Sequence, residues 1–226
     1  MAKYRHELKY WISYSDYVEI RNRLRSFMSF DMNSDENGRY LIASIYFDDY
    51  LDTALREKID GVKYREKFRI RYYNNNKSYI VLEKKAKDAD LCLKTSVRIT
   101  EEECNRILSG DVEWLQDSGK DLLIEFYQSI KTRLLRPKTI VSYKREAYVY
   151  KAGNVRITFD SDIRSGVYNT NLLDDDKKLM SVIPKGNMVL EVKYDEYFPQ
   201  IISDLVQHPS VRIGAFSKYA ACRMFE

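Results

Sequence analysis

The sequence predicts an α+β fold rich in antiparallel strands, with amphipathic helices packed against them. Three observations predict it. Eight segments alternate apolar and polar residues with period two, the mark of a half-buried strand. Between them lie stretches with apolar residues at helical spacing, which need an apolar surface to cover. The polar sides of the strand segments gather Lys and Arg, so one face is apolar and the other basic.

The first segment, 4–12, sets Arg5, Glu7 and Lys9 against His6, Leu8 and Tyr10. A helix follows over 15–28, with Ser15 as N-cap and Tyr17, Ile20, Leu24 and Phe27 on one stripe. Segment 39–48 is the second strand. Segment 63–73 puts Lys63, Arg65, Lys67, Arg69 and Arg71 on one side, opposite Tyr64, Phe68, Ile70 and Tyr72. Residues 73–77 form a hairpin turn, since Asn tolerates positive φ. Segment 78–86 places Glu83 and Lys85 together, and segment 91–99 does the same for Lys94, Ser96 and Arg98. Thr100 and Glu103 fit a capping box at a helix start. A further helix runs over 121–135 with Leu122, Phe126, Ile130 and Leu134 in register. Segment 138–150 carries Tyr143 and Arg145 on one side. A Gly-Asn turn at 151–154 leads to segment 154–162, with Arg156, Thr158 and Asp160 in line. Residues 169–186 form a long polar loop or short lid. Segment 187–195 pairs Glu191 with Lys193, and 196–207 and 214–225 are helical. No repeat or linker divides the chain, so residues 1–226 are expected as one domain.

Composition narrows the function. Lys and Arg number 38 against 34 acids, a net charge of +4. Acids cluster in loops and helix starts while bases cluster in strands, so a small net charge coexists with a strong local field. Two unit charges ~4 Å apart repel by roughly 4 kcal/mol at an effective dielectric near 20, so a face of like charges needs an offsetting anion. Arg suits phosphate because its planar fork makes two parallel hydrogen bonds. A half-buried sheet also shows polar residues on its wet face, and alternation alone does not separate a lumen from such a face. Cys92, Cys104 and Cys222 lack metal-type spacing and read as reduced, buried, inert thiols. His6, on the apolar side of its strand, reads as a packed histidine. The first residues show no apolar leader, and a cytoplasmic location is expected.

Seven motifs occur in order: His6-Glu7-Leu8-Lys9-Tyr10, Ile45-Tyr46-Phe47-Asp48, Phe68-Arg69-Ile70-Arg71, Leu82-Glu83-Lys84-Lys85, Ser142-Tyr143-Lys144-Arg145, Leu190-Glu191-Val192-Lys193 and Phe216-Ser217-Lys218-Tyr219. Together they resemble the VTC domain, the polyphosphate polymerase branch of the triphosphate tunnel metalloenzymes, over nearly the whole chain. The resemblance implies an eight-stranded antiparallel β-barrel, a triphosphate tunnel, flanked by amphipathic helices. It implies transfer of the γ-phosphate of ATP onto a growing inorganic polyphosphate chain, releasing ADP. It marks Lys9, Arg69, Arg71, Lys85, Lys94, Arg145, Arg156, Lys193 and Lys218 as the phosphate-binding lining. Tyr143 and Ser217 stand beside them as neutral donors, with Glu7, Glu83 and Arg98 as further substrate contacts. Glu191 is the implied ligand of Mg²⁺ or Mn²⁺, ions that use one or two carboxylates and complete the shell with phosphate and water. Related hydrolases and cyclases begin with a Glu-x-Glu-x-Lys pattern, whereas Arg5 stands first here, which favours the polymerase branch. Ala215 replaces a base common before the Phe-Ser-Lys motif. A tripolyphosphatase or nucleoside triphosphatase on the same tunnel, and a non-catalytic polyphosphate-binding module, are the competing readings. The implied partners are ATP and polyphosphate, with no nucleic acid, and a membrane-protein partner outside this chain is compatible with the pattern.

Overall fold

The computed structural model describes residues 4–89, 91–208, 212–214 and 216–225. In chain order the elements are β1 (Arg5–Ser13), α1 (Tyr14–Arg25), β2 (Ser29–Phe30), β3 (Arg39–Asp48), α2 (Thr53–Ile59), β4 (Tyr64–Tyr73), β5 (Asn76–Asp88) and β6 (Leu91–Ile99). Then come α3 (Glu101–Ser109), α4 (Asp121–Arg133), β7 (Arg136–Tyr150), β8 (Val155–Ser165), β9 (Met180–Ser181), β10 (Asn187–Tyr194), α5 (Gln200–Val206), β11 (Arg212–Ile213) and α6 (Lys218–Arg223). The long strands pair antiparallel in the order β7-β3-β4-β5-β6-β1-β10-β8, and β8 pairs back with β7. Eight strands thus form a closed ring of pairings, and they are the eight segments that alternate in the sequence. The thinnest closure is β1 against β6, where only Arg5↔Cys92 and His6↔Leu91 are in register.

Apolar residues on the outer side of the ring are covered by helices. Ile45, Phe47, Phe68, Ile70 and Leu82 pack with Leu123 and Phe126 of α4 and Ile107 of α3. Ile157, Phe159, Leu190 and Val192 pack with Ile20 and Leu24 of α1 and Ile202 of α5. These side chains are fully or almost fully buried, each contributing about 1.5–3 kcal/mol by leaving water. A third cluster lies on the opposite side of β3 and β7, where Tyr40, Ile42, Tyr46, Val141 and Tyr143 meet Tyr219 and Cys222 of α6.

Several expectations need correction. The N-cap of α1 is Ser13, not Ser15, because Asp16 at the third helical position completes a capping box with it. Phe27 lies beyond the end of α1 and is exposed. The helix expected to 135 stops at Arg133, because Leu134 adopts φ 55°. α2 has no counterpart in the sequence reading. Its preceding residue, Asp52, is left-handed and makes no side-chain cap; Asp48, at the end of β3, accepts instead from the amides of Ala54 and Leu55 at 2.9 and 3.1 Å. Segment 169–186 is not a detached lid. Leu172 and Leu173 are buried in the outer core, and Tyr72 donates to the Leu172 carbonyl at 3.2 Å. Asn74 and Asn75 both take positive φ at the β4–β5 turn, and Gly153 and Asn154 do so between β7 and β8, as expected. His6 stacks on Tyr194 with centroids 5.0 Å apart.

Candidate functional site

The ring encloses a cavity of about 1250 Å³. Residues two apart on a strand share a face, and here the shared face is the lumen. Glu7 and Lys9 enter from β1, Arg69 and Arg71 from β4, Glu83 and Lys85 from β5 and Lys94 from β6. Tyr143 and Arg145 enter from β7, Arg156 from β8, Glu191 and Lys193 from β10, and Ser217 and Lys218 from the start of α6. All these sequence-predicted residues line one cavity. Arg98 does not: it is exposed, donates to the Ser78 carbonyl at 2.9 Å and lies over the Tyr79 ring. Period-two spacing carries Arg98 past the point where β6 still faces the lumen. Cys92, expected to be buried, is half-buried and lines the cavity; Cys104 and Cys222 are buried, and all three are free thiols. Ala215 lies outside the described residues.

Four acids organise the cations. Glu83 stands in register with Arg69 across β4 and β5. It accepts from Arg69 Nε at 2.7 Å, with Arg71 Nη1 at 3.6 Å and Lys94 Nζ at 3.3 Å. Burial opposes its charge, but Arg69, Arg71 and Lys94 together hold its carboxyl far below the usual range. Glu7 and Glu191 share two lysines: Lys9 lies 2.7 Å from Glu7 and 3.6 Å from Glu191, while Lys193 lies 3.7 Å and 2.7 Å from them. Lys85 adds a third contact to Glu7 at 2.7 Å. For Glu7, burial and the neighbouring Glu191 push the pKa up, yet Lys85, Lys9 and Lys193 bring it well down. Burial likewise opposes ionisation of Glu191, and Lys193, Lys9, Arg145 and Lys218 overcome it. The fourth acid, Asp160, was aligned with Arg156 in the sequence but not assigned to the site. It is fully buried, chelated by Arg145 and 2.5 Å from Lys218 Nζ.

Neutral donors fill the gaps. Arg71 Nη2 donates to the Tyr143 hydroxyl at 3.2 Å, and Lys218 Nζ stands 4.8 Å over the Tyr143 ring. Arg156 reaches Asp31 at 2.6 Å and donates to the Tyr40 hydroxyl at 2.5 Å. Ser217 caps α6 by accepting from the Ala220 amide at 3.3 Å, which leaves its hydroxyl proton available to a ligand. Tyr46, within an apolar-looking run, was not assigned either. Its hydroxyl accepts from Arg69 Nη1 at 2.8 Å.

The donor set suits a hard divalent cation with few protein ligands. Glu191 Oε1 is buried and accepts no hydrogen bond; Lys193 Nζ approaches it at 2.7 Å, but off the hydrogen-bonding direction. Among the described residues no group of three His, Cys, Asp or Glu converges as a closed metal cage. An ion held here would take one or two carboxylates and fill its shell with phosphate and water.

A closed ring of antiparallel strands around a lumen lined by paired cations and carboxylates defines a protein of the triphosphate-tunnel class. The chain belongs to the VTC domain family, whose profile matches residues 4–225. No curated protein matches it. Among solved structures, a candidate adenylate cyclase from Bacillus halodurans superposes with a TM-score of 0.51 at 12% identity, over 90% of this chain and 86% of its own. The PH1012 protein of Pyrococcus horikoshii covers 95% of this chain and 96% of its own at 12% identity, with a TM-score of 0.49. At such identity the first likeness extends to the fold alone. No helix among the described residues is long and apolar enough to cross a membrane.

Proposed function

We propose that the protein is a polyphosphate polymerase, transferring the γ-phosphate of ATP onto the end of an inorganic polyphosphate chain. A terminal phosphate oxygen of the acceptor attacks the γ-phosphorus. The bond from that phosphorus to the β-phosphate oxygen breaks, and its electron pair leaves with ADP. The attacking oxygen is already ionised, so no general base is required. Such a transfer needs alignment and charge stabilisation more than covalent help. Arg69, Arg71 and Arg145 present planar forks for equatorial phosphate oxygens, Lys9, Lys193 and Lys218 supply compact charges, and Tyr143 and Ser217 add neutral donors. Glu191, with Glu7 beside it, would hold Mg²⁺ or Mn²⁺, which when bound neutralises charge developing on bridging oxygens.

One observation carries the choice of polymerase over triphosphatase. The cationic lining does not end at the carboxylate cluster. It continues along β4 through Arg65 to Lys63 just before the strand, joined by Lys87 of β5. A triphosphate does not need that length; a growing chain does. The position where related hydrolases carry the first carboxylate is Arg5, turned to Asp195 at 3.1 Å.

The test is to incubate the pure protein with ATP and Mn²⁺ and resolve the products. Long phosphate chains with stoichiometric ADP are expected. ADP with orthophosphate alone would overturn the proposal in favour of hydrolysis, and tight polyphosphate binding with no turnover would favour a binding module.

A further inference from the structure

Almost every cation deep in the lumen has a carboxylate partner: Lys9, Arg69, Arg71, Lys85, Arg145 and Lys218 are all in ion pairs. Lys67 differs. It sits two residues before Arg69 on the lumen side of β4 and lines the cavity. Among the described residues it makes no ion pair. Its ammonium is held over aromatic faces instead, 5.3 Å from the Tyr46 ring centroid and 5.8 Å from that of Tyr219. Those two rings stack on each other with centroids 5.1 Å apart. They fix the position of the charge without neutralising it, since a ring face offers only a quadrupole.

We propose that Lys67 is a further phosphate-binding residue of this tunnel, an ammonium set on the Tyr46–Tyr219 stack beside Arg69 for a phosphate that no wall carboxylate competes for. The inference rests on the phosphate-tunnel reading and deepens it. It places one more phosphate subsite between Arg69 and the cations Arg65 and Lys63, the stretch that a chain longer than a triphosphate would occupy.

The surroundings agree. Lys85 and Lys67 stand in register across β5 and β4, so Lys67 faces one like charge directly. Burial depresses its pKa to about 8; Tyr46 opposes the fall, while Lys85, Lys9 and Arg69 deepen it. Tyr46 responds in the opposite sense: burial opposes its ionisation, but Arg69, Lys67 and Arg71 bring it down to about 7. An incoming phosphate supplies a counter-charge and favours the protonated lysine.

Calorimetric binding of an inorganic polyphosphate chain longer than tripolyphosphate, without turnover, tests this. The titration is run at pH 8, in two buffers of different ionisation enthalpy, on wild type, Lys67→Met and Lys67→Arg. Lys67→Met should bind about tenfold more weakly, the loss of one charge-assisted hydrogen bond. Lys67→Arg should keep the affinity but take up fewer protons on binding than wild type, because arginine is already charged. Protonation of the anion itself is common to wild type and Lys67→Arg and cancels in their difference. Wild-type affinity in Lys67→Met, or equal proton uptake in wild type and Lys67→Arg, overturns the proposal. Lys67-dependent binding in a protein that makes no polyphosphate from ATP would leave the subsite standing and remove the polymerase reading; polymer synthesis with unchanged binding in Lys67→Met would do the reverse.

Discussion

Arg145 and Asp160 meet across β7 and β8 as a doubly hydrogen-bonded pair, Nε to Oδ1 at 2.6 Å and Nη2 to Oδ2 at 2.8 Å. The two residues are in register across the strands, so the pair follows from the pleat. Asp160 also balances Lys218, and one buried carboxylate therefore permits two cations to face the lumen. Removing one partner of a buried ion pair is costlier than the pair itself is stabilising, because the remaining charge stays desolvated. Asp160→Ala should lower unfolding stability by about 3–5 kcal/mol, read from urea denaturation. Added tripolyphosphate should recover part of the loss by supplying counter-charge. An unchanged denaturation midpoint would show that Asp160 does not hold these cations in place.

Lys67 gives a prediction of opposite sign. Its folded pKa is depressed to about 8, below the unfolded value of about 10.4. The folded state therefore disfavours its charge. That penalty is complete below pH 8 and fades as pH rises toward the unfolded value, where both states are neutral. Lys67→Met should stabilise the empty protein at pH 7 by on the order of 1–3 kcal/mol, and the gain should shrink between pH 8 and 10. Thermal melts across that range measure it. A destabilised Lys67→Met at pH 7 would mean that the aromatic contacts outweigh the charge cost. A functional residue that costs stability is a common exchange.

Glu191→Gln removes the charge that would hold a divalent ion and keeps the shape. It should lower metal-dependent turnover by about two to three orders of magnitude, corresponding to several kcal/mol of lost stabilisation. Binding of tripolyphosphate without metal should not weaken, since the variant leaves Lys9 and Lys193 less neutralised. Turnover within a few-fold of wild type would remove Glu191 from the metal site.

The ring was legible in the sequence because period two is a local signal, and each strand has one apolar and one basic side. The lumen residues were legible for the same reason, once a family pattern distinguished the inside of the ring from a wet outer face. What escaped was set by contacts across the chain. Asp160 shares its strand face with Arg156 and Thr158, and only its neighbours Arg145 and Lys218, from β7 and α6, make it part of the site. Tyr46 sits between Ile45 and Phe47 and carries no polar signature until Arg69 is beside it. Arg98 shows the converse error: alternation continues past the end of the cavity, and no local signal marks where a strand leaves it. α2 was missed because its amides are satisfied by Asp48 from the preceding strand rather than by a residue at its own start.

Asp48 leads to the last prediction. It is fully buried at the end of β3, accepts from two amides of α2, and also accepts from the Tyr219 hydroxyl at 2.6 Å. Arg223, one turn further along α6, donates to both oxygens of Asp52 at 2.9 and 3.0 Å. α6 is thus tethered to β3 and the start of α2, and it is the element that brings Lys218 to Asp160. Burial, then the Asp48 carboxylate, keeps the Tyr219 phenol protonated well above its usual range. With a raised folded pKa, its contribution is complete below the unfolded value of about 10 and is lost on the alkaline side. Tyr219→Phe keeps the ring beneath Lys67 and deletes only the hydroxyl. It should cost about 1–3 kcal/mol at neutral pH, the penalty for a buried acceptor that loses a donor, and its stability should fall less steeply than wild type above pH ~10. If α6 positions Lys218 through this bond, turnover should fall while ATP KM changes little, and Lys218→Met should remove the effect of adding Tyr219→Phe. Additive losses in the double variant would show that Tyr219 acts on stability alone, because residues coupled through one contact do not add.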